Sequence, residues 1–217
     1  MRKRPKYQLR DELLVEQIFS DSYEATAWDF LKIAAWKSAR NLALVSLSSA
    51  EEVSSSFGAL IGMIKNLSYR DTVIEFESID WTDWGRQVED LYSMSGISKL
   101  DGVKFTAFSG VLGYLRPAVF PVIDIYTAEG IFGEEAARNR NLWANSRAYT
   151  TFARQLAGPS AIDLPDWFKK IPDIKGERTR WSELNIHERD LVVFNSVRGS
   201  KKYGWPKFDG LQIAQLP

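Results

Sequence analysis

The sequence of 217 residues has no cysteine and a single histidine, His187. Without thiols there is no disulfide, no Cys-ligated iron-sulfur centre and no thiol nucleophile, and one imidazole cannot assemble a zinc cluster. Chemistry must therefore run on carboxylates, lysines, hydroxyls or backbone dipoles. No apolar run approaches the length of a membrane span, and the opening MRKRPK leads into Tyr7-Gln8-Leu9-Arg10-Asp11-Glu12 rather than an apolar signal core. The expectation is a cytoplasmic protein with no membrane partner and no obligate protein partner. Surplus charge is missing too: 28 basic residues balance 28 acidic ones, which by itself fits a helical protein with no nucleic-acid role.

What is present is an ordinary globular mixture, 45% hydrophobic and 26% charged, enough to bury a core in one compact unit or two closely packed lobes. The charges are segregated. Asp71, Glu75, Glu77, Asp80, Asp83, Glu89 and Asp90 face only Arg86, whereas Lys169, Lys170, Lys175, Arg178 and Arg180 cluster further on, and the tail adds Arg198, Lys201, Lys202 and Lys207. A basic surface on a neutral protein is consistent with this order, and so is a pair of solvated faces.

Periodicity points to a mostly helical chain. Leu13, Leu14, Gln17 and Ile18 repeat at helical spacing after an acidic start, and 24–45 is rich in Ala and Leu without Gly or Pro, which predicts a long helix with a break near Ser38. The Ser48-to-Glu52 stretch is a helix-start pattern, followed by an apolar stripe to Leu67. Residues 71–79 fit a short strand or an irregular connection. Asp80 caps a helix that ends near Gly96, Pro117 halts another that begins at Thr106, and further helices are expected over 125–132 and 141–156. The loop-rich part, 158–217, is irregular around Pro159, Pro165 and Pro172, and its end, 187–217, reads as loop with at most a short strand at Leu191-Val192-Val193-Phe194.

The segment with chemical content is 96–127, GISKLDGVKFTAFSGVLGYLRPAVFPVIDIYT. A turn between two helices needs a residue free to take positive φ, which Gly102 supplies, and the amides that follow it open a helix N-terminus suited to holding a phosphate. Asp124 precedes Ile125-Tyr126-Thr127, so it is a favoured N-cap. It is also a carboxylate free to stabilise developing positive charge on a sugar and orient a water.

These residues resemble the helix-hairpin-helix (HhH-GPD) DNA glycosylase superfamily, its 8-oxoguanine glycosylase-like members in particular. Leu100-Asp101-Gly102-Val103 is similar to the hairpin, Thr106-Ala107 to the helix start, and Pro121-Val122-Ile123-Asp124 to the approach to the aspartate, with one additional residue. The likeness covers about a fifth of the chain, residues 92–131. It implies a two-lobed helical fold spanning 1–217, binding of double-stranded DNA through Gly102, Val103, Lys104, Phe105 and Thr106, base flipping, and Asp124 as the catalytic group. It implies no cofactor, with room for a monovalent cation at the hairpin. Members that also cut the backbone carry a Schiff-base lysine where this chain has Phe105. Lys104 is one step, about 100°, away on a helix, so the resemblance implies a monofunctional enzyme for repair or for defence against modified DNA. Lys104 also replaces the second hairpin glycine, which either weakens phosphate approach or adds a phosphate contact. A non-catalytic hairpin module, with Asp124 only a cap, is the alternative.

Secondary candidates for a base pocket or DNA contact are Trp36 with Lys37 and Arg40, and the aromatic and basic run Lys201, Lys202 and Trp205. Each has a plain counterpart, a core tryptophan with solvated cations or a partner-facing loop. Trp28, Trp81 and Trp84 read as packing residues and His187 as a surface residue at a helix start.

Overall fold

The computed structural model describes residues 11–37, 48–67, 79–158, 163–164, 167–168, 180–205, 208 and 214–216. These residues form ten α-helices and two 3₁₀ turns with no strand; the one β-type pairing among them is an isolated bridge between Asp163 and Arg180. The helices are α1 (Glu12–Phe19), α2 (Ala27–Lys37), α3 (Ala50–Lys65), α4 (Trp81–Ser93), α5 (Phe105–Leu115), α6 (Ile125–Phe132), α7 (Glu134–Arg138), α8 (Arg140–Trp143), α9 (Ser146–Ala157) and α10 (Ile186–Tyr203). The expected mostly-α class holds. The expected strand or connection at 71–79 lies almost wholly outside the described residues, as does the second half of the helix expected over 24–45.

Side-chain caps explain where the helices begin. Asp11, Ser49, Asp80, Asp124, Asn145 and Asn185 each accept a hydrogen bond from a first-turn amide, so α1, α3, α4, α6, α9 and α10 start where a short polar side chain can satisfy an orphan donor. Ser49 with Glu52 forms a full capping box, as the Ser48-to-Glu52 pattern predicts.

The C-terminal reading needs correction. Residues 186–203 are not loop or strand but the 18-residue helix α10, opened by a capping box between Asn185 and Glu188 and closed by Gly204 at φ +67°. Its buried Val192, Val193, Ser196, Val197 and Gly199 follow helical spacing. The β-branched Val192-Val193 pair mimics a strand only over a window too short to show the 3.6 period. The helix expected over 141–156 is likewise split, with α8 and α9 meeting at Ala144-Asn145.

Helix α5 is the centre of the structure. All of its residues from Phe105 to Leu115 are buried, the mark of a helix covered on every side. Tyr92, Phe105, Phe108, Tyr149, Trp84 and Phe120 form a chain of ring contacts, with centroids from 4.9 to 5.9 Å apart, that joins α4, α5 and α9. On the other side α6 lies against α10. A Cβ on Gly130 would strike the Val193 side chain, so glycine there sets the helix separation. Arg189 of α10 is buried and donates to the carbonyls of Leu156 and Ala157, which closes the C-terminal end of α9; burial pushes its guanidinium down to about 10.

Candidate active site

The turn between α4 and α5 is built from two left-handed glycines. Gly96 (φ +84°) stops the chain after α4 and starts the 3₁₀ turn Ile97–Lys99, and Gly102 (φ +73°) reverses it into α5. Val103 N donates to Leu100 O at 3.2 Å and Lys104 N to Gly102 O at 3.0 Å, which tightens the turn. The Asp101 amide donates to Ser48 Oγ at 3.1 Å. Lys104 is the N-cap of α5, exposed and making no side-chain capping bond. Val103 and Phe105 are only 3% exposed, so any ligand would meet their backbone and not their side chains. Thr106 Oγ1 accepts from the Arg140 guanidinium. Phe105 fills the position implied for a Schiff-base lysine with a ring packed on Tyr92, Phe108 and Tyr149. Val103 O already accepts the Tyr92 hydroxyl at 3.3 Å, and Leu100 O and Gly102 O take the turn's own amides.

Asp124 is the N-cap of α6 and half-buried. Its Oδ1 accepts the amides of Tyr126 at 2.9 Å and Thr127 at 3.0 Å, while Thr127 Oγ1 accepts the Asp124 amide at 2.7 Å. Among the described residues Oδ2 accepts no hydrogen bond. One oxygen is fixed by the helix and the other is left for a ligand or water.

The segment that carries Asp124 is held by three helices at once. From α5, Ser109 Oγ accepts Ile123 N at 3.3 Å and also lies 3.0 Å from Thr106 O, its acceptor in the first turn of the same helix. From α9, the buried Tyr149 hydroxyl donates to Pro121 O at 2.5 Å. From α10, Asp190 Oδ2 accepts Val122 N at 2.5 Å and lies 2.9 Å from His187 Nδ1, while His187 N donates to Pro117 O at 3.3 Å. Gly113 makes room for this segment, since a Cβ there would stand 2.5 Å from Val122 Cγ2 and 3.2 Å from Phe120 O. The hairpin helix and the aspartate are therefore parts of one hydrogen-bonded block.

The electrostatics follow from burial. Burial pushes the Asp190 carboxyl above the ordinary aspartate value, against the pull of His187 and the Val122 amide, and the nearby Asp124 pushes the same way as burial. Burial likewise lifts the Tyr149 hydroxyl well above its usual value. His187 is thus a half-buried partner of Asp190, not the surface residue its sequence context suggests.

The secondary candidates fall in different places. Trp36 and Lys37 end α2, with side chains outside the described part, and Arg40 lies outside the described residues. Lys201 and Lys202 belong to the last turn of α10 and not to a loop. Lys201 Nζ pairs with the buried Glu129 Oε2 at 2.6 Å, and Lys202 Nζ sits 5.3 Å from the Tyr203 ring centre. Trp205 stacks on Trp167 at 5.6 Å and presses against Gly199, so it packs against the protein. Trp84 is core and Trp81 half-buried, but Trp28 is 66% exposed, with Lys32 Nζ 5.9 Å from its ring, and does not pack as expected. Ser109, Gly113, Tyr149 and Asp190 carried no motif signal. Only the short polar side chain at 109 amid apolar residues hints that a buried partner awaits it. Among the described residues no group of acidic or histidine side chains could hold a metal, and no helix is long and apolar enough to cross a membrane. No family model, curated protein or solved structure matches this chain.

Proposed function

We propose that the chain is a monofunctional DNA glycosylase of the HhH-GPD type, two-lobed in fold, acting on double-stranded DNA. The observation that carries the reading is the coupling through Ser109: the helix that starts at the uncapped turn after Gly102 is hydrogen-bonded to the residue preceding Asp124. In this reading the N-terminus of α5, with Lys104 beside it, holds a backbone phosphate, and an extruded nucleotide reaches Asp124.

The reaction balances as hydrolysis. The bond between the sugar C1′ and the base nitrogen breaks, with its electron pair leaving on the base. Asp124 Oδ2 stabilises the positive charge that develops on the sugar and orients a water. The water oxygen bonds to C1′, one of its protons passes to the carboxylate or to solvent, and the base takes up a proton as it departs. Phe105 in the core leaves no lysine at the Schiff-base position, which supports release of the base without strand cleavage. The reading also places the chain with DNA, inside the cell.

A second reading has an observation of its own. Asp124 Oδ1 makes both bonds of an N-cap, so a non-catalytic hairpin module that grips DNA needs nothing more from this residue. Incubation with genomic DNAs bearing different base modifications, followed by mass spectrometry of released bases and an abasic-site assay, separates the two. Base release is expected. Binding without release would favour the module, and strand breaks without added alkali or amine would overturn the monofunctional assignment.

A further inference from the structure

Helices α4 and α9 leave between them a groove of about 440 Å³ whose lining includes Trp81, Gly85, Arg147, Thr150, Thr151 and Arg154. It is not the space in front of Asp124. On α9 the groove residues Arg147, Thr151 and Arg154 lie about 140–160° round the helix from Tyr149, the residue that touches Pro121. The two helices meet at the groove floor, where a Cβ on Gly85 would stand 2.6 Å from Thr150 Oγ1.

Its chemistry is one-sided. Arg147 and Arg154 are exposed, and neither has an ion-pair or hydrogen-bond partner for its guanidinium among the described residues. None of the described residues that line the groove is acidic. Asp80 accepts the amides of Thr82 and Asp83, and Asp83 is held by Arg86 and Gln87, which keep its carboxyl below the usual range. Thr150 and Thr151 give their hydroxyl protons to Ser146 O and Arg147 O, so their oxygens remain as acceptors. Trp81 is half-buried, edge-on to Trp84 at 5.7 Å, with part of its ring on the groove.

The backbone positions of Arg147 and Arg154, seven residues apart on one helix, are separated by roughly 10.5 Å along its axis, so their long side chains can reach successive phosphates of one extended strand. A half-exposed tryptophan beside them supplies a face for a base, and only an unpaired base has a face to offer. Arg140, on the separate helix α8, donates to Thr106 in the first turn of α5, which ties the chain just before α9 to the hairpin helix. We infer that the α4/α9 groove is a second nucleic-acid contact, one that takes an unpaired DNA strand, with Arg147 and Arg154 on its phosphates and Trp81 under a base. It rests on the DNA-binding half of the proposed function and not on base release.

Fluorescence anisotropy with a blunt duplex of roughly 12 base pairs, the same duplex carrying a single-stranded tail of roughly 10 nucleotides, and that tail alone tests the inference. The tailed duplex should bind about tenfold more tightly than the blunt one, and this preference should vanish in Arg147→Gln/Arg154→Gln and in Trp81→Leu while blunt binding stays unchanged. Both arginines are on the surface, so the double variant should keep the wild-type circular dichroism spectrum and melting point. Equal binding of tailed and blunt DNA, or a preference that survives the double variant, overturns the groove and leaves the hairpin reading standing. Binding of the free tail that depends on the arginines, with no binding of blunt duplex, supports the groove and sinks the hairpin reading. No binding of any of the three overturns both.

Discussion

Asp190 Oδ2 accepts the amide of Val122 at 2.5 Å across 68 residues of sequence, and this bond fixes the backbone two residues before Asp124 from a helix the chain reaches only at its end. The carboxylate is buried and shares the same oxygen with His187 at 2.9 Å. The clamp on the candidate catalytic segment therefore contains a titrating group.

That group sets a pH dependence whose sign is fixed. Burial raises the Asp190 carboxyl, so between the ordinary aspartate value and the raised one the native chain keeps a proton that the unfolded chain has lost. Its contribution to stability is full at pH values below the unfolded aspartate value and declines as pH rises through the native one. Asp190→Asn keeps an acceptor for Val122 N and carries no charge, so urea midpoints measured from about pH 4 upward should fall less steeply in the variant. An unaltered slope would place the titration on another group. Asp190→Ala, which strips Val122 N of its acceptor, should cost about 1–3 kcal/mol.

Asp124→Asn separates the cap from the chemistry. Asparagine is as good an N-cap as aspartate, so melting temperature and duplex affinity should hold. If the carboxylate stabilises positive charge on the sugar, single-turnover base release should drop by about a hundredfold or more. Release at the wild-type rate would reduce Asp124 to a cap.

Gly113→Ala tests whether the segment's seat matters. The new methyl would overlap Val122 Cγ2 and press on Phe120 O, both parts of a clamped segment with little freedom to yield. A loss of about 1–3 kcal/mol is expected by denaturant unfolding, with base release per folded molecule lowered and blunt-duplex affinity retained. Gly58, where an added Cβ meets nothing within 4 Å, is the matched control; there alanine should be neutral or slightly stabilising.

Lys104→Ala probes the hairpin. The side chain is exposed and caps nothing, so stability should not move. If Lys104 meets a phosphate, the slope of log affinity against log salt for duplex DNA should fall by about one, uniformly across sequences. An unaltered slope would leave the hairpin with its backbone amides alone.

Much of this was legible in the chain because the signals are local. Gly102 announces its positive φ, Asp124 its cap, Ser49 and Glu52 their box, and Pro117 the end of α5. Helix α10 is masked in the sequence although Asn185 and Glu188 spell a capping box, because Val192-Val193 has the composition of a strand and the Gly- and Lys-rich run after it that of a loop. The clamp was not legible at all. Nothing near Asp190 or Tyr149 in sequence refers to Pro121 or Val122, and such long-range bonds exist only once α9 and α10 have docked. The Lys201 and Trp205 run looked like a binding loop for a related reason: its partners Glu129 and Trp167 lie dozens of residues away, so the pairing that occupies both side chains leaves no local trace.

The burial of α5 on every side has a mechanical meaning. A rod wedged among its neighbours cannot bend or slide without opening the interior, and Lys104 and Ser109 both ride on it. The gap between the basic turn and the Asp124 carboxylate then behaves as a fixed gauge, and a molecule that touches both must supply the distortion itself. If the chain acts on DNA as proposed, pliable, damaged or already unstacked substrates would fit that gauge at least cost, a selectivity arising from stiffness and not from any contact with the base.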